Sequence, residues 1–241
     1  FDRTVYPLNS IMHIRVRINK IIKNELIYIE IYDHKKKIIS SRKINPKKAK
    51  NLEKSSSYLY QANITMQGSD WIIGKSYTLL ARYSNVKASD SMTIDKRRPV
   101  IQTDKSVYII GSDMIVTVIA TDFDRDSEKP EIIGNHKDHT LTISSRFGIL
   151  KNHKLVETGD STGIFQGIIG LIPPYSIKNG KKIRNKARGN GPVNGYLPVS
   201  PLGEEIIIEF KSKSGNASLS AFSSNFGATV ELDQKIYSPT D

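Results

Sequence analysis

Three stretches of this chain repeat one pattern, and that repetition limits what the chain can fold into more than any other feature. "FDRTVYPLNSIMHIRV" starts at Phe1, "TDKSVYIIGSDMIVTV" at Thr103 and "LDQKIYSPTD" at Leu232. In each, an aspartate stands four residues before a tyrosine: Asp2 and Tyr6, Asp104 and Tyr108, Asp233 and Tyr237. A repeat this long exceeds any solenoid unit and suits tandem domains of about 100 residues. Each copy therefore reads as the start of a domain: a polar turn, then an extended first strand whose tyrosine is expected to lie over the junction with the preceding domain. The boundaries follow. Residues 1–98 form a first domain, "DKRRPV" is the linker, and residues 99–231 form a second domain. Residues 232–241 are the first strand of a further repeat.

The local pattern is β throughout. In "SIMHIRVRIN" the residues Met12, Ile14, Val16 and Ile18 share one face while His13, Arg15 and Arg17 share the other. Alternation with period two marks a half-buried strand. Ile27, Ile29 and Ile31 repeat it, as do Met114, Val116 and Val118. "GKSYTLLARY" places Tyr77, Leu79, Ala81 and Tyr83 on one side after a glycine turn, like the strand that follows a tyrosine corner in an immunoglobulin-like sandwich. Only "NPKKAKNLEK" has helical composition; it lacks an apolar stripe and reads as a solvated loop or a short helical turn. The fold class is all-β, as tandem immunoglobulin-like β-sandwich domains. Residues 173–203, rich in Gly, Pro, Asn and Lys, read as a long basic loop within the second domain.

Charge is distributed unevenly. Residues 1–98 hold 20 Lys/Arg and 8 Asp/Glu, which accounts for the whole net charge of +12; residues 99–241 hold 16 of each. Residues 173–203 carry six of those cations and no acid. No stretch reaches the roughly 18 unbroken apolar residues of a membrane-spanning helix. Cysteine is absent, which removes disulfides, thiol catalysis and cysteine-based zinc sites. An extracellular setting stays open, because a domain of this size builds a core without staples. The chain opens on Phe1 rather than Met and reads as a piece of a longer protein.

Four constellations invite chemistry. "TDFDRDSEKPE" sets Asp122, Asp124, Asp126 and Glu128 at alternate positions, a spacing that can wrap a hard cation such as Ca2+ with oxygen ligands. The EF-hand pattern fails, with Ser127 where Gly is needed and Ile133 where the closing Glu belongs. The competing reading is a solvated acidic loop that pairs with basic neighbours. "GDSTG" at 159–163 fits G-x-S-x-G, yet strand-like sequence flanks it on both sides and no helix follows Ser161. It therefore reads as a hairpin turn and not as a nucleophile elbow, and no enzymatic activity is expected. His136, Asp138, His139 and His153 match no zinc spacing and read as surface histidines. Lys35, Lys36, Lys37, Arg42, Lys43, Lys47 and Lys48 form a basic stretch able to meet a polyanion such as an acidic glycan. No nucleic-acid motif accompanies them, and no aromatic residue lies among them to stack bases, so specific nucleic-acid binding is not expected. A solvated basic face is the plainer alternative. Asn63 and Asn216 head glycosylation sequons.

"TDKSVYIIGSDMIVTVIATDFDRDSE" resembles the opening of the tandem Ig-like domains in archaeal surface-layer proteins, those of ammonia-oxidising archaea in particular. "LVETGDSTGIFQGII" resembles a hairpin found later in those repeats, and "GYLPVSPLGEEIIIEF" and "VELDQKIYSP" follow in the same order. The first domain matches at its opening strand alone, and its basic charge departs from the acidic surfaces typical of surface layers. The resemblance implies an extracellular, non-enzymatic structural protein of the cell surface, whose modules assemble with copies of themselves or with neighbouring surface proteins. It also implies stiffening by calcium, with Asp122, Asp124 and Asp126 as loop ligands. An adhesion protein whose basic first domain binds acidic polysaccharide is the alternative.

Overall fold

The computed structural model describes residues 1–18, 25–44, 50–51 and 58–225. The strands are β1 (Val5–Tyr6), β2 (Ile11–Ile18), β3 (Ile27–Tyr32), β4 (Ile38–Ile44), β5 (Lys50–Asn51), β6 (Tyr58–Thr65), β7 (Ser76–Tyr83) and β8 (Val86–Ile94). These are followed by β9 (Val100–Thr103), β10 (Val107–Tyr108), β11 (Asp113–Ile119), β12 (Ile132–Ile133), β13 (Asn135–His136), β14 (His139–Ser144), β15 (Ile149–Lys151), β16 (Leu155–Glu157) and β17 (Ile164–Ile172). The last are β18 (Tyr175–Lys178), β19 (Lys181–Arg184), β20 (Gly195–Pro198), β21 (Glu204–Ser212) and β22 (Gly215–Ser223).

Two sandwiches result. In the first, the sheet β1-β8-β7-β3-β4 faces the sheet β2-β6-β5. In the second, β10-β22-β21-β14 with β13 and β15 faces β12-β16-β17-β11-β9 with β20. Both have the immunoglobulin-like order, in which a short first strand joins the last strand in parallel: β1 on β8 and β10 on β22. Each sandwich has its own buried cluster, Met12, Ile14, Ile29 and Tyr77 among its members in the first and Met114, Val116, Phe165 and Phe210 in the second. The alternating runs land as their period requires, since successive side chains on a strand point to opposite faces. Tyr77 closes a tyrosine corner: its hydroxyl donates to the Asp70 carbonyl at 3.0 Å and accepts from the Ile72 N–H at 2.6 Å, while Trp71 packs on its ring at 4.9 Å.

The repeated aspartate and tyrosine form a clasp that is the same in both copies. Tyr6 donates its hydroxyl to Asp2 Oδ1, which also accepts the His13 N–H at 2.8 Å, and the Arg3 N–H donates to Tyr6 Oη. Tyr108 donates to Asp104 Oδ1 at 2.6 Å, Asp104 Oδ1 accepts the Ile115 N–H at 2.8 Å, and the Lys105 N–H donates to Tyr108 Oη. One carboxylate thus ties the first short strand to the strand after it, and each tyrosine is buried in its own sandwich. The expectation that the tyrosine lies over the preceding junction is overturned. An aromatic ring gains more from a core it can fill than from an edge. Asp233 and Tyr237, with the rest of 232–241, lie outside the described residues.

Residues 173–203 are not one long loop; only 185–194 within them connect strands at length. β18 and β19 form a hairpin through Asn179 and Gly180, both at positive φ, and β20 pairs in parallel with β17. The positive φ at both positions makes a two-residue turn that glycine tolerates without cost. The basic segment 45–49 and residues 52–57, which include Lys47, Lys48 and most of the helical-looking stretch, lie outside the described residues.

Candidate functional site

The acidic loop sits where the two sandwiches meet, and its carboxylates separate instead of converging. Asp122 accepts the backbone N–H of Arg97 from the linker at 2.8 Å. Asp124 Oδ1 accepts from Arg3 Nη2 at 2.5 Å, and Arg3 Nη1 donates to the Asp124 carbonyl at 2.7 Å. Asp126 Oδ1 lies 2.7 Å from His13 Nε2. Glu128 reaches His13 Nδ1 at 3.4 Å and Arg15 at 3.7 Å. Ser127 donates its hydroxyl to Asp2 Oδ2, and the Ile11 N–H donates to the Arg125 carbonyl at 2.8 Å. Every carboxylate of the predicted chelating loop therefore takes a partner from residues 3–97. The alternative reading holds in its pairing, with Arg3, His13 and Arg15 of the other sandwich, but not in its solvation, since Asp122 and Asp124 are buried.

This junction explains a departure in β2. His13 belongs to the polar face with Arg15 and Arg17, yet it is buried, because the loop of the second sandwich covers it. Asp2 serves both roles. Burial alone would raise its pKa, but hydrogen bonds from Ser127, Tyr6 and the His13 N–H outweigh that and hold it below the usual carboxylate value. The carboxylate acts in turn on the tyrosine: burial first, then the bond to Asp2, drives the Tyr6 pKa well up, and Tyr108 behaves the same way beside Asp104.

Behind the loop lies a cluster that sequence spacing did not reveal. Asp124, Glu131 and Glu157 each offer an oxygen, and these oxygens lie within 4.8 Å of one another. Glu157 Oε1 accepts the N–H groups of Thr162 and Gly163, both at 2.7 Å, and so caps the "GDSTG" turn. Glu131 Oε1 accepts the N–H groups of Arg125 and Asp126 and so braces the acidic loop. Burial, then the bond shared with Glu157, pushes Glu131 up to about 8, and burial raises Asp124 despite Arg3. Glu157 is lowered: burial opposes this, but the hydrogen bond from Glu131 and the surrounding N–H groups prevail. Glu131 Oε2 is buried and, apart from the bond shared with Glu157, has no hydrogen-bond partner. Glu131 precedes β12 and Glu157, 26 residues on, ends β16, so no local pattern joins them.

Ser161 stands in the turn between β16 and β17, with its Oγ 3.4 Å from Asp124 Oδ2. A side chain on Gly163, at φ +63°, would strike Thr121, so glycine lets this turn close on the acidic loop. Of the histidines, His136 lies 3.5 Å from Asp138, and His139 Nδ1 accepts the Gly134 N–H. His139 and His153 are both buried, not at the surface as expected, and both ring nitrogens of His153 lack a partner. Asn63 and Asn216 are exposed; Asn63 Oδ1 lies 3.0 Å from His13 Nδ1, and Asn216 Oδ1 accepts the Ser212 N–H.

The basic residues divide between the two ends of β4. Lys35, Lys36 and Lys37 lie in the turn before it, where Asp33 accepts the N–H groups of Lys35 and Lys37. Arg42 and Lys43 lie near its far end, with Lys43 5.6 Å from the centre of the Tyr28 ring. Pairing in register adds two cations that the sequence stretch had not gathered: Lys43, Tyr28, Arg82 and Lys87 form one row across β4, β3, β7 and β8. Glu30 offsets part of this charge through Arg82, at 2.5 Å.

No family model and no curated protein matches the sequence. Among solved structures, the chain is similar to one titled "Anomalous substructure of Titin-A168169", at 12% identity and a TM-score of 0.30, covering 91% of this chain and 92% of that one. It is also similar to one titled "Structural basis for Dscam isoform specificity", at 8% identity and a TM-score of 0.26, covering 91% of this chain and 42% of that one.

Proposed function

We propose that this chain is a non-enzymatic, extracellular structural segment of a cell-surface protein, built of immunoglobulin-like modules that are latched end to end. The observation that carries this reading is the junction. Arg3, His13, Asp2 and the linker N–H of Arg97 engage Asp124, Asp126, Ser127 and Asp122 in turn, so the domain boundaries at 98 and 99 fall inside a bonded joint and not a free hinge. Charged hydrogen bonds across partly buried surface resist bending more than a flexible linker does. Exposed sequons at Asn63 and Asn216 and the resemblance to archaeal surface-layer repeats support the extracellular part of the proposal.

Calcium belongs to the same reading, at a different set of ligands from the one that spacing suggested. Asp124, Glu131 and Glu157 would hold it, with Ser161 beside them; calcium would displace the proton that Glu131 keeps at neutral pH and supply the positive charge that the three carboxylates then lack. Glu131 Oε2, buried and with no partner besides the Glu157 carboxylate, supports the fit. The test is small-angle scattering together with melting temperature, in calcium and in chelator. Binding to the folded state alone must raise the melting temperature with concentration, and Glu131→Gln should abolish the rise while Glu128→Gln keeps it. An elongated, narrow distribution of shapes supports the latch; a broad one, insensitive to Asp124→Asn, removes it.

A second reading is favoured by the row Lys43, Tyr28, Arg82 and Lys87: recognition of an acidic polysaccharide along the outer face of the first sandwich. Binding that falls steeply with salt, and that Lys43→Glu and Lys87→Glu weaken, would support it.

A further inference from the structure

The β18–β19 hairpin projects from the second sandwich with every one of its eight strand residues exposed. Its root is fixed: Tyr175 meets the Phe147 ring edge to face at 6.2 Å, and Arg184 donates to the Phe147 carbonyl. Its outer part is not. Tyr175, Ile177, Lys182 and Arg184 share one face by register, and Ile177 there is 81% exposed; Ile183 lies on the opposite face with Lys178 and Lys181. Ten residues thus hold four cations, no acid and two isoleucines left in water. A two-stranded hairpin alone is at best marginally stable, and exposed apolar side chains on such an arm point to a covering surface.

The second sandwich carries the complement on another face. On β21, Glu205, Ile207, Glu209 and Lys211 turn outward; Lys211 lies 3.5 Å from Glu209, and Ser220 donates to Glu205 at 2.5 Å. Ile207 shares a row with Ser144 and Ile149, and Glu205 pairs with Phe222 on β22. Ile149, Ile207 and Phe222 are 51%, 38% and 48% exposed, so among the described residues this apolar face, flanked by two glutamates, is uncovered.

We propose that the hairpin of one copy docks on this face of a second copy. Ile177 would enter between Ile207 and Phe222, and Lys182 would leave the Tyr175 ring, 4.3 Å away, to meet Glu205, with the tip cations Lys178 and Lys181 near Glu209. The charges select the partner: a polyanion offers nothing apolar to Ile177, whereas this face offers both. The two patches differ, so the contact is heterologous: it passes from copy to copy and builds a filament, or a ring where the rotation closes. A ten-residue arm covers less than the roughly 1,200 Å² at the low end of stable interfaces, so each contact is weak and shows only at high concentration. This inference does not depend on the junction or on calcium.

Sedimentation velocity over a concentration series, at low and high salt, tests it with the intact chain. The average mass should rise with concentration and fall with salt. Ile177→Asp alone, and Glu205→Lys with Glu209→Lys alone, should each weaken association roughly ten-fold or more. Mixing those two variants should restore a dimer and nothing larger, because only one sound hairpin then meets one sound face. Monomer at every concentration, undiminished association of either variant, or a mixture that stays monomeric overturns the proposal. So does a wild-type chain that stays monomeric yet binds anionic phospholipid vesicles through Ile177.

Discussion

Arg3 is the residue on which the joint should depend most. Its guanidinium makes two hydrogen bonds to Asp124 and is largely buried, as is the Asp124 carboxylate. Replacing it with Met keeps the stem and removes the charge. Asp124 then faces Glu131 and Glu157 with nothing to balance it. Removing one partner of a buried ion pair costs about 3–5 kcal/mol. A second route gives a similar figure: Glu131 already holds its proton at pH 7, so the cluster escapes by binding a second one, and protonating a carboxylate whose unfolded pKa is near 4 at pH 7 costs about 4 kcal/mol. The expected loss is therefore about 3–4 kcal/mol, or roughly 6–16 °C in melting temperature for a chain of this size. The single tryptophan, Trp71, reports the first sandwich by fluorescence, while circular dichroism reports both. Urea unfolding in chelator followed by both probes shows whether the sandwiches still unfold together. Because proton uptake becomes cheaper at lower pH, the deficit should shrink by about 1.4 kcal/mol per unit as pH falls from 7 towards 5. Asp124→Asn in the Arg3→Met background should recover part of the loss, since no orphaned charge remains. A loss under about 1 kcal/mol, or one flat with pH, would refute the claim that Arg3 balances a buried charge.

Other outcomes follow from the same geometry. Tyr108→Phe should cost about 1–3 kcal/mol in urea unfolding, because Asp104 loses a hydroxyl donor to its carboxylate. Burial holds His139 and His153 down to about 4, so below the unfolded value near 6.5 the unfolded chain binds protons that the native chain refuses. Stability should be intact above pH 7 and fall between 6.5 and 4, by up to about 3 kcal/mol per histidine, and His153→Gln should flatten that slope. Gly163→Ala should destabilise by about 1–3 kcal/mol through left-handed strain and the clash with Thr121, read as a lower melting temperature.

The sandwiches were legible because alternation is a property of consecutive residues. Met12, Ile14 and Ile18 can be paired with a core before any partner strand is known, and Tyr77 marks its corner from the glycine turn ahead of it. The Asp-to-Tyr spacing was visible too, although its meaning as a clasp needed the His13 and Ile115 N–H groups of the next strand. The hairpin had a signal that composition obscured: Asn179-Gly180 between paired lysines is the strongest two-residue turn, but Gly, Pro and Asn around it suggested a loop. The carboxylate cluster had no signal of this kind. Asp124, Glu131 and Glu157 meet only because β16 folds back beside β12, so a spacing rule for chelation gathered chain neighbours instead of spatial ones.

The charge asymmetry has a reading that sequence could frame but not decide. A first half at +12 looks like a surface waiting for a polyanion. Part of that charge already faces one: Arg3 and Arg15 point at Asp124 and Glu128 of the second sandwich. The two pairs should respond differently to salt. Arg15 and Glu128 are about half exposed, so their attraction fades within a Debye length of about 8 Å at physiological ionic strength and contributes little. Arg3 and Asp124 are shielded from solvent, and salt reaches them poorly. Raising salt should therefore release a polyanion from the row at Lys43 and Lys87 while leaving the two sandwiches joined. If salt instead uncouples the Trp71 and circular dichroism transitions, the joint is held by exposed charges, and the burial of Arg3 is not what locks it.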